Sequence, residues 1–219
     1  MKGISMKVIV FNTKSYDKKF LTDANKDFGH ELTFLDVHLN ADTCKLASGF
    51  EVVCAFVNDH LTKEILTLLA QNGVRLIALR CAGFNNVDLQ TAADLKITVV
   101  RVPAYAPHGV AEHAVALMLI LNRKIHRAHN RVHESNFSLD GLLGFEIYKK
   151  TVGIIGTGKI GALVARIMKG FGANVLAYDS MQNKECVDMN VEYVTLEEIY
   201  HRSDIITLHI PLTKDTHHI

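Results

Sequence analysis

Residues Gly156-Thr157-Gly158-Lys159-Ile160-Gly161 constrain the fold more than any other stretch of this 219-residue chain. The pattern G-x-G-x-x-G is weak by itself, because glycines are common in turns. Here it directly follows an apolar run, Val152-Gly153-Ile154-Ile155. It opens a stretch in which Ile160, Leu163, Val164, Ile167 and Met168 recur at helical spacing. A second β-rich run at 174–179 (NVLAYD) ends in an acid eighteen positions after Gly161. That is close to the ~20 residues that separate glycines and acid in a dinucleotide-binding βαβ unit.

Each residue type answers a physical need. Gly156 permits the tight turn out of the strand, and Gly158 leaves the backbone open to a pyrophosphate. At the helix N-terminus behind them, free N–H groups and the positive end of the helix dipole favour an anion. Gly161 lets helix and strand pack closely. Asp179 can accept both ribose hydroxyls, and its charge repels a 2′-phosphate. Ser180-Met181-Gln182-Asn183, which follows, contains no arginine, so the expected cofactor is NAD rather than NADP.

The same alternation of strand and helix runs along the rest of the chain. Apolar runs at 7–11, 31–36, 51–57, 74–80 and 97–102 read as strands. Helices are expected after Ser15, which can cap a segment with Phe20, Leu21, Ala24 and Phe28 on one face, and at 62–71 and 87–96. Strands covered on both faces read as continuous apolar runs, as VVCAFV and RLIAL do, so the sheets are expected to be parallel. Pro103 and Pro107 bracket a break, after which 109–135 reads as one long helix. Its first half is apolar nearly all round and is expected to be buried, and its second half to face water. The fold expected is thus α/β with two parts, residues 1–103 and residues 104–219. The second part holds strands at 151–155, 174–179, 191–194 and 204–210, about four of the roughly six in a dinucleotide-binding sheet.

Composition excludes several classes. The formal net charge is +1 with no block of like charges, which argues against a nucleic-acid partner. The longest apolar stretch, 114–121, is too short to span a bilayer, so no membrane partner is expected. Cys44, Cys54, Cys81 and Cys186 are scattered, form no CxxC pair and follow no leader segment, which points to reduced thiols in a cytoplasmic setting.

Other candidates have plainer readings. His126, His129 and His133 share one helical face, but no carboxylate or cysteine completes a metal set and Arg123, Arg127 and Arg131 surround them. No metal is expected. Cys81 follows a strand in the loop RCAGFNNVD, where a nucleophile would need a base and none is evident. A loop that offers backbone N–H groups to an anion, with Gly83 allowing close approach, suits it better. Glu112 and His113 are adjacent on a helix and point apart. His209 ends a strand, either facing the cofactor or simply closing that strand.

At RCAGFNNVD, VPAYAPHGVAEHAVALML, FSLDGLLGFE and VGIIGTGKIG the chain resembles the D-isomer-specific 2-hydroxyacid dehydrogenases, with the nearest likeness to the fermentative D-lactate enzymes. The resemblance runs from about Lys7 to Ile219. It implies that residues 1–103 are the N-terminal part of a flavodoxin-like substrate domain and that residues 104–219 begin an inserted, here incomplete, Rossmann NAD-binding domain, with the active site in the cleft between them. The backbone at Ala82 and Gly83 would hold the substrate carboxylate, and Tyr105 would line the substrate pocket. Lys159 and Ile160 would touch the pyrophosphate through their backbone, beside Gly156, Gly158 and Gly161, with Asp179 on the adenine ribose. Ile210, Pro211 and Thr216, with His209, would lie along the adenosine and nicotinamide side. The helix around 110–121 would build a homodimer.

The activity implied is NAD-dependent interconversion of pyruvate, or a similar 2-oxo acid, and the D-2-hydroxy acid. The family's catalytic arginine, glutamate and histidine have no counterpart before Ile219, so no catalytic residue is assigned. The 219 residues are accordingly expected to behave as an inactive fragment. Two other readings fit the same residues: a non-catalytic NAD-responsive regulatory protein, such as a co-repressor on this fold, and an artificially shortened product.

Overall fold

The computed structural model describes residues 5–219. Residues 1–4, over which no leader segment is expected, lie outside the described residues. The chain divides into two compact units, Met1–Tyr105 and Ala106–Ile219, two residues beyond the boundary at 103 expected from Pro103.

The first unit contains β1 (Lys7–Val10), α1 (Ser15–Asn25), β2 (Glu31–Phe34), a 3-10 turn at Cys44–Ala47, β3 (Val52–Ala55), α2 (Lys63–Gln71), β4 (Leu76–Leu79), α3 (Leu89–Asp94) and β5 (Thr98–Arg101). Its five strands are all parallel, in the order β2-β1-β3-β4-β5. That is the flavodoxin-like order, whose direction reverses between β1 and β3. Alternate residues of β1 and β3 go to opposite faces: Ile9 and Val53 enter one core with Phe11, Leu66 and Ile77, while Val8, Val10, Val52 and Cys54 enter the other. Both faces are therefore apolar, as the unbroken runs in the sequence require.

The second unit contains α4 (Pro107–Arg123), α5 (Ile125–His133), β6 (Thr151–Ile155), α6 (Lys159–Gly170), β7 (Asn174–Tyr178), α7 (Lys184–Asp188), β8 (Glu192–Tyr193), α8 (Leu196–Arg202) and β9 (Ile205–Leu208). Its four strands are parallel in the order β8-β7-β6-β9. This is the order of the first four strands of a dinucleotide-binding sheet, with its switch point between β6 and β9. Val164, Ala165 and Met168 on the buried face of α6 pack with Val152, Ile154, Val175 and Ala177 of the sheet. Gly153 lies under α8, where a Cβ would meet the Ser203 hydroxyl and Ile199 Cγ2.

Several local expectations are corrected. The helix expected at 109–135 is two helices, broken at Lys124, whose φ of 52° is left-handed. The first of them starts at Pro107, which suits a first helical position because it lacks the N–H that would be unpaired there. Nor is its apolar half fully buried. Ala111 and Val115 are inside, whereas Leu117 is 47% and Leu121 68% exposed. The α1 cap is Lys14 rather than Ser15, with the Lys14 N–H donating to the Asp17 carboxylate at 2.9 Å. Phe20 and Phe28 of that segment are exposed rather than packed. The helix expected at 87–96 shrinks to α3, because Asp88 caps it by accepting from the Thr91 N–H and hydroxyl at 2.9 and 2.8 Å. Among the described residues, no helix is long and apolar enough to cross a membrane.

Candidate functional site

At the carboxyl ends of β6, β7 and β9 a cavity of about 420 Å³ opens in the second unit, within the ordinary range of small-molecule sites. Its walls include Gly156 and Gly158 from the turn after β6, Tyr178, Asp179 and Ser180 after β7, and His209, Ile210, Pro211, Thr213 and Thr216 after β9. Thus seven of the residues singled out in the sequence, Gly156, Gly158, Asp179, His209, Ile210, Pro211 and Thr216, share one cavity.

The three glycines differ in what surrounds them. Gly156 has φ of 93°, and a Cβ there would meet Ile210 Cγ2 at 2.6 Å and the His209 carbonyl oxygen at 2.7 Å. A Cβ at Gly161 would strike the Gly156 carbonyl, so this glycine closes the helix onto the turn. Gly158 is the helix N-cap and has ordinary backbone angles, and a Cβ there would meet no protein atom within 4 Å. Nothing inside the chain demands glycine at 158; the empty space in front of it fits a ligand that approaches the backbone closely. The N–H groups that open α6 lie beside it, since the first backbone bond at this end is Ala162 N–H to the Gly158 carbonyl, at 3.0 Å.

Lys159, Ile160 and Gly161 do not line this cavity. The Lys159 side chain runs to a separate depression with His108, Arg166 and Glu185, and Ile160 packs against the core. Only their backbone is available to an anion at the helix end.

Asp179 is held by a network that the sequence did not suggest. Its Oδ2 accepts from the Thr157 N–H at 2.6 Å and the Thr157 hydroxyl at 3.1 Å, and Oδ1 from the Met181 N–H at 3.2 Å and the Ser180 hydroxyl at 3.3 Å. Thr157 in turn accepts from the Tyr193 hydroxyl at 2.9 Å, and its carbonyl accepts from Asn183 Nδ2 at 2.7 Å. Asn183 N–H donates to the Tyr193 oxygen at 2.8 Å, which closes the ring. Burial would raise the Asp179 pKa, but the donors from Thr157, Met181 and Ser180 outweigh it and hold the carboxyl below its ordinary value. The site therefore presents a fixed carboxylate. The 3.3 Å contact from Ser180 is the longest of the four and the one that a ligand hydroxyl would most readily replace.

His209 is anchored by its N–H to the Ile155 carbonyl at 2.7 Å, and its Nε2 is 3.0 Å from the Thr207 hydroxyl. Burial pushes its pKa down, so the ring is neutral at ordinary pH. Thr213 and Thr216 bond each other's backbone, Thr213 N–H to Thr216 Oγ1 at 2.8 Å and Thr216 N–H to Thr213 Oγ1 at 3.2 Å, and Thr216 donates to the Pro211 carbonyl at 2.6 Å. Thr213 is a wall residue missed in the sequence, although T-x-x-T after a proline is a turn signal.

In the first unit Ala82 and Gly83 lie together in the loop after β4, while Tyr105 is 55% exposed at the end of the unit. Burial raises the Cys81 thiol, and its Sγ donates to the Gly83 carbonyl at 3.2 Å; this is a thiol at work in a loop rather than a nucleophile. His129 and His133 stack edge to face with centroids 4.3 Å apart, and the described residues contain no group of three metal-binding side chains.

Comparison with known proteins accounts for this arrangement. Residues 115–219 match the family model described as D-isomer specific 2-hydroxyacid dehydrogenase, NAD binding domain. A 2-hydroxyacid dehydrogenase homolog of Haemophilus influenzae is 53% identical over 214 residues, covering 98% of this chain and 65% of that protein. The apo-structure of D-lactate dehydrogenase from Escherichia coli superposes with a TM-score of 0.90 at 52% identity, covering 97% of this chain and 67% of the other. The crystal structure of D-lactate dehydrogenase from Aquifex aeolicus complexed with NAD and lactic acid gives 0.82 at 35% identity, covering 97% of this chain and 63% of the other. The chain spans about 65% of the length of the curated relatives it matches. A glycine turn and fixed acid in one cavity, a four-strand sheet in dinucleotide-binding order and these likenesses lead to one conclusion: the chain belongs to the D-isomer specific 2-hydroxyacid dehydrogenase family.

Proposed function

We propose that this chain is the cofactor-holding and part of the substrate-holding portion of an NAD-dependent oxidoreductase that interconverts a 2-oxo acid, such as pyruvate, and its D-2-hydroxy acid. The observation that carries the reading is the open space before Gly158, in a cavity that also holds a fixed Asp179 carboxylate. In this reading the N–H groups at the start of α6, at Lys159, Ile160 and Gly161, receive the pyrophosphate, and Asp179 receives the adenine ribose. Ile210, Pro211 and Thr216, with neutral His209, form the wall along the remainder of the cofactor. NAD, when bound, supplies the hydride exchange at its nicotinamide ring. Ala82 and Gly83 receive the substrate carboxylate, and Tyr105 borders the substrate. Residues 1–103 then serve the substrate and residues 104–219 the cofactor.

No arginine or glutamate lines the cavity, and His209 is its only imidazole among the described residues. We infer that these 219 residues alone turn over at least 10²–10⁴-fold more slowly than an enzyme with its acid–base group in place, that factor being about what one such group contributes. The exposed Leu117 and Leu121 on α4 support a homodimer built through 110–121, and four buried free cysteines support a reducing, cytoplasmic setting.

Two measurements test the reading. NADH fluorescence titration is expected to saturate with the wild-type chain. Asp179→Asn is expected to weaken NADH about tenfold or more and to narrow the preference for NADH over NADPH, because a charged acceptor worth about 1.5–3 kcal/mol is lost. Unchanged binding by that variant would remove Asp179 from the site. Loss of NADH absorbance with pyruvate at ordinary enzymatic rates would overturn the predicted inactivity. Saturable binding without turnover is also the behaviour of a non-catalytic NAD-responsive module, which a dehydrogenase assay on a chain of the relatives' full length would then separate.

A further inference from the structure

Three consecutive carbonyls of the loop after β4 are each held by a donor. Cys81 accepts from the Val102 N–H at 3.2 Å, Ala82 from Arg101 Nη1 at 2.8 Å, and Gly83 from the Cys81 thiol at 3.2 Å. The Arg101 guanidinium also lies over the Phe84 ring, 5.2 Å from its centroid. No peptide in the described residues is cis. In a trans peptide the carbonyl of one residue and the N–H of the next point in opposite directions. Val102 therefore sets the direction of the Ala82 N–H, and Arg101 that of the Gly83 N–H. Neither amide donates to a partner among the described residues, so both are left facing away from β5. We propose that Arg101 is a positioning residue: by holding the Ala82 carbonyl it aims the Gly83 N–H, beside the Ala82 N–H that Val102 directs, at the carboxylate of the 2-oxo acid.

The inference rests on the reading that Ala82 and Gly83 receive that carboxylate. Arginine suits the task because its planar head donates and stacks at once, so the Phe84 ring fixes the plane from which the bond is made. A lysine keeps a donor but loses the planar fork.

Backbone-amide NMR of the 219-residue chain, titrated with sodium pyruvate against sodium chloride of equal ionic strength, decides the matter. In the wild type the Ala82 and Gly83 signals are expected to move saturably. In Arg101→Met the Gly83 signal is expected to lie elsewhere before any pyruvate is added, the Ala82 signal to stay, and pyruvate to bind about three- to tenfold more weakly, the worth of one ordinary hydrogen bond. Arg101→Lys is expected to recover part of both effects, and unmoved signals from β1 and β3 report that the variants are folded. An unshifted Gly83 signal with undiminished pyruvate binding in Arg101→Met overturns the role of Arg101 and leaves the carboxylate site standing. Wild-type Ala82 and Gly83 signals that ignore pyruvate overturn the carboxylate site itself, and the proposal with it.

Discussion

Gly156 and Gly158 stand two positions apart and answer different demands, one from the protein and one from its ligand. At Gly156 the backbone is left-handed and a Cβ would sit 2.6 Å from Ile210. Gly156→Ala should therefore cost about 1–2 kcal/mol from the backbone alone, with the collision added. At Gly158 a Cβ meets nothing, so Gly158→Ala should cost only about 1 kcal/mol, the difference between glycine and alanine at a helix N-cap. NADH binding should respond in the other sense, with Gly158→Ala at least tenfold weaker while its melting temperature moves by a few degrees. Thermal melting and NADH titration of the same two variants check this, and a Gly158→Ala chain that binds NADH normally would remove the pyrophosphate from this turn. Both glycines and Asp179 were legible in the sequence because their spacing is local to one βαβ unit. The partners of Asp179 were not. Asn183 and Tyr193 lie 26 and 36 residues from Thr157, and no periodicity links a threonine inside a glycine turn to a tyrosine at the edge strand.

At the scale of elements, strands were legible wherever both faces of the sheet are covered, because burial writes itself as an unbroken apolar run. The break between α4 and α5 was not, since 109–123 and 125–135 each carry a good helical pattern and Lys124 is a good helix former. The break follows from packing: Asn122, just before it, is turned to the 144–146 segment, donating to the Phe145 carbonyl at 2.8 Å and accepting from its N–H at 2.9 Å. A lysine in the left-handed region costs about 1–2 kcal/mol, whereas glycine gives up about 0.5–1 kcal/mol of chain entropy. Lys124→Gly should consequently stabilise the second unit by roughly 0.5–1 kcal/mol, the difference between those two terms. Chemical denaturation measures it, and a loss of stability would mean that the two helices are continuous in solution. The same reasoning explains why Leu117, Leu121 and Phe20 are exposed despite their helical spacing: the spacing says that a face is apolar, not what covers it.

Across the whole molecule the groups whose protonation changes on folding fall into two sets with opposite signs. Partly buried His209 has its pKa lowered, so the unfolded chain takes up a proton before the folded one does. Its neutrality costs nothing above the ordinary histidine value of about 6.5, and stability is lost as pH falls below that. Asp179 adds a second acid step, present in full above the ordinary carboxylate value of about 3.9 and lost as pH falls further, because its donors favour the charged form. Asp88 and Asp204 follow Asp179, each held low chiefly by a backbone N–H, from Thr91 and Thr151 respectively. On the alkaline side, burial raises the thiols of Cys54, Cys81 and Cys186. Their contribution is complete below the ordinary thiol value of about 8.5 and disappears as pH rises through the raised one. Linkage then requires a stability plateau between about pH 6.5 and 8.5, with a decline on either side. Melting temperatures in reducing buffer at pH 5.5, 7.5 and 9.5 give the test. A protein more stable at 5.5 than at 7.5 would mean that His209 is charged in the folded state, and the wall it forms beside the cavity would then carry a cation rather than a neutral ring. Asp179→Asn should flatten only the steepest acid part of the curve, below about pH 4, because an amide has no proton to gain there.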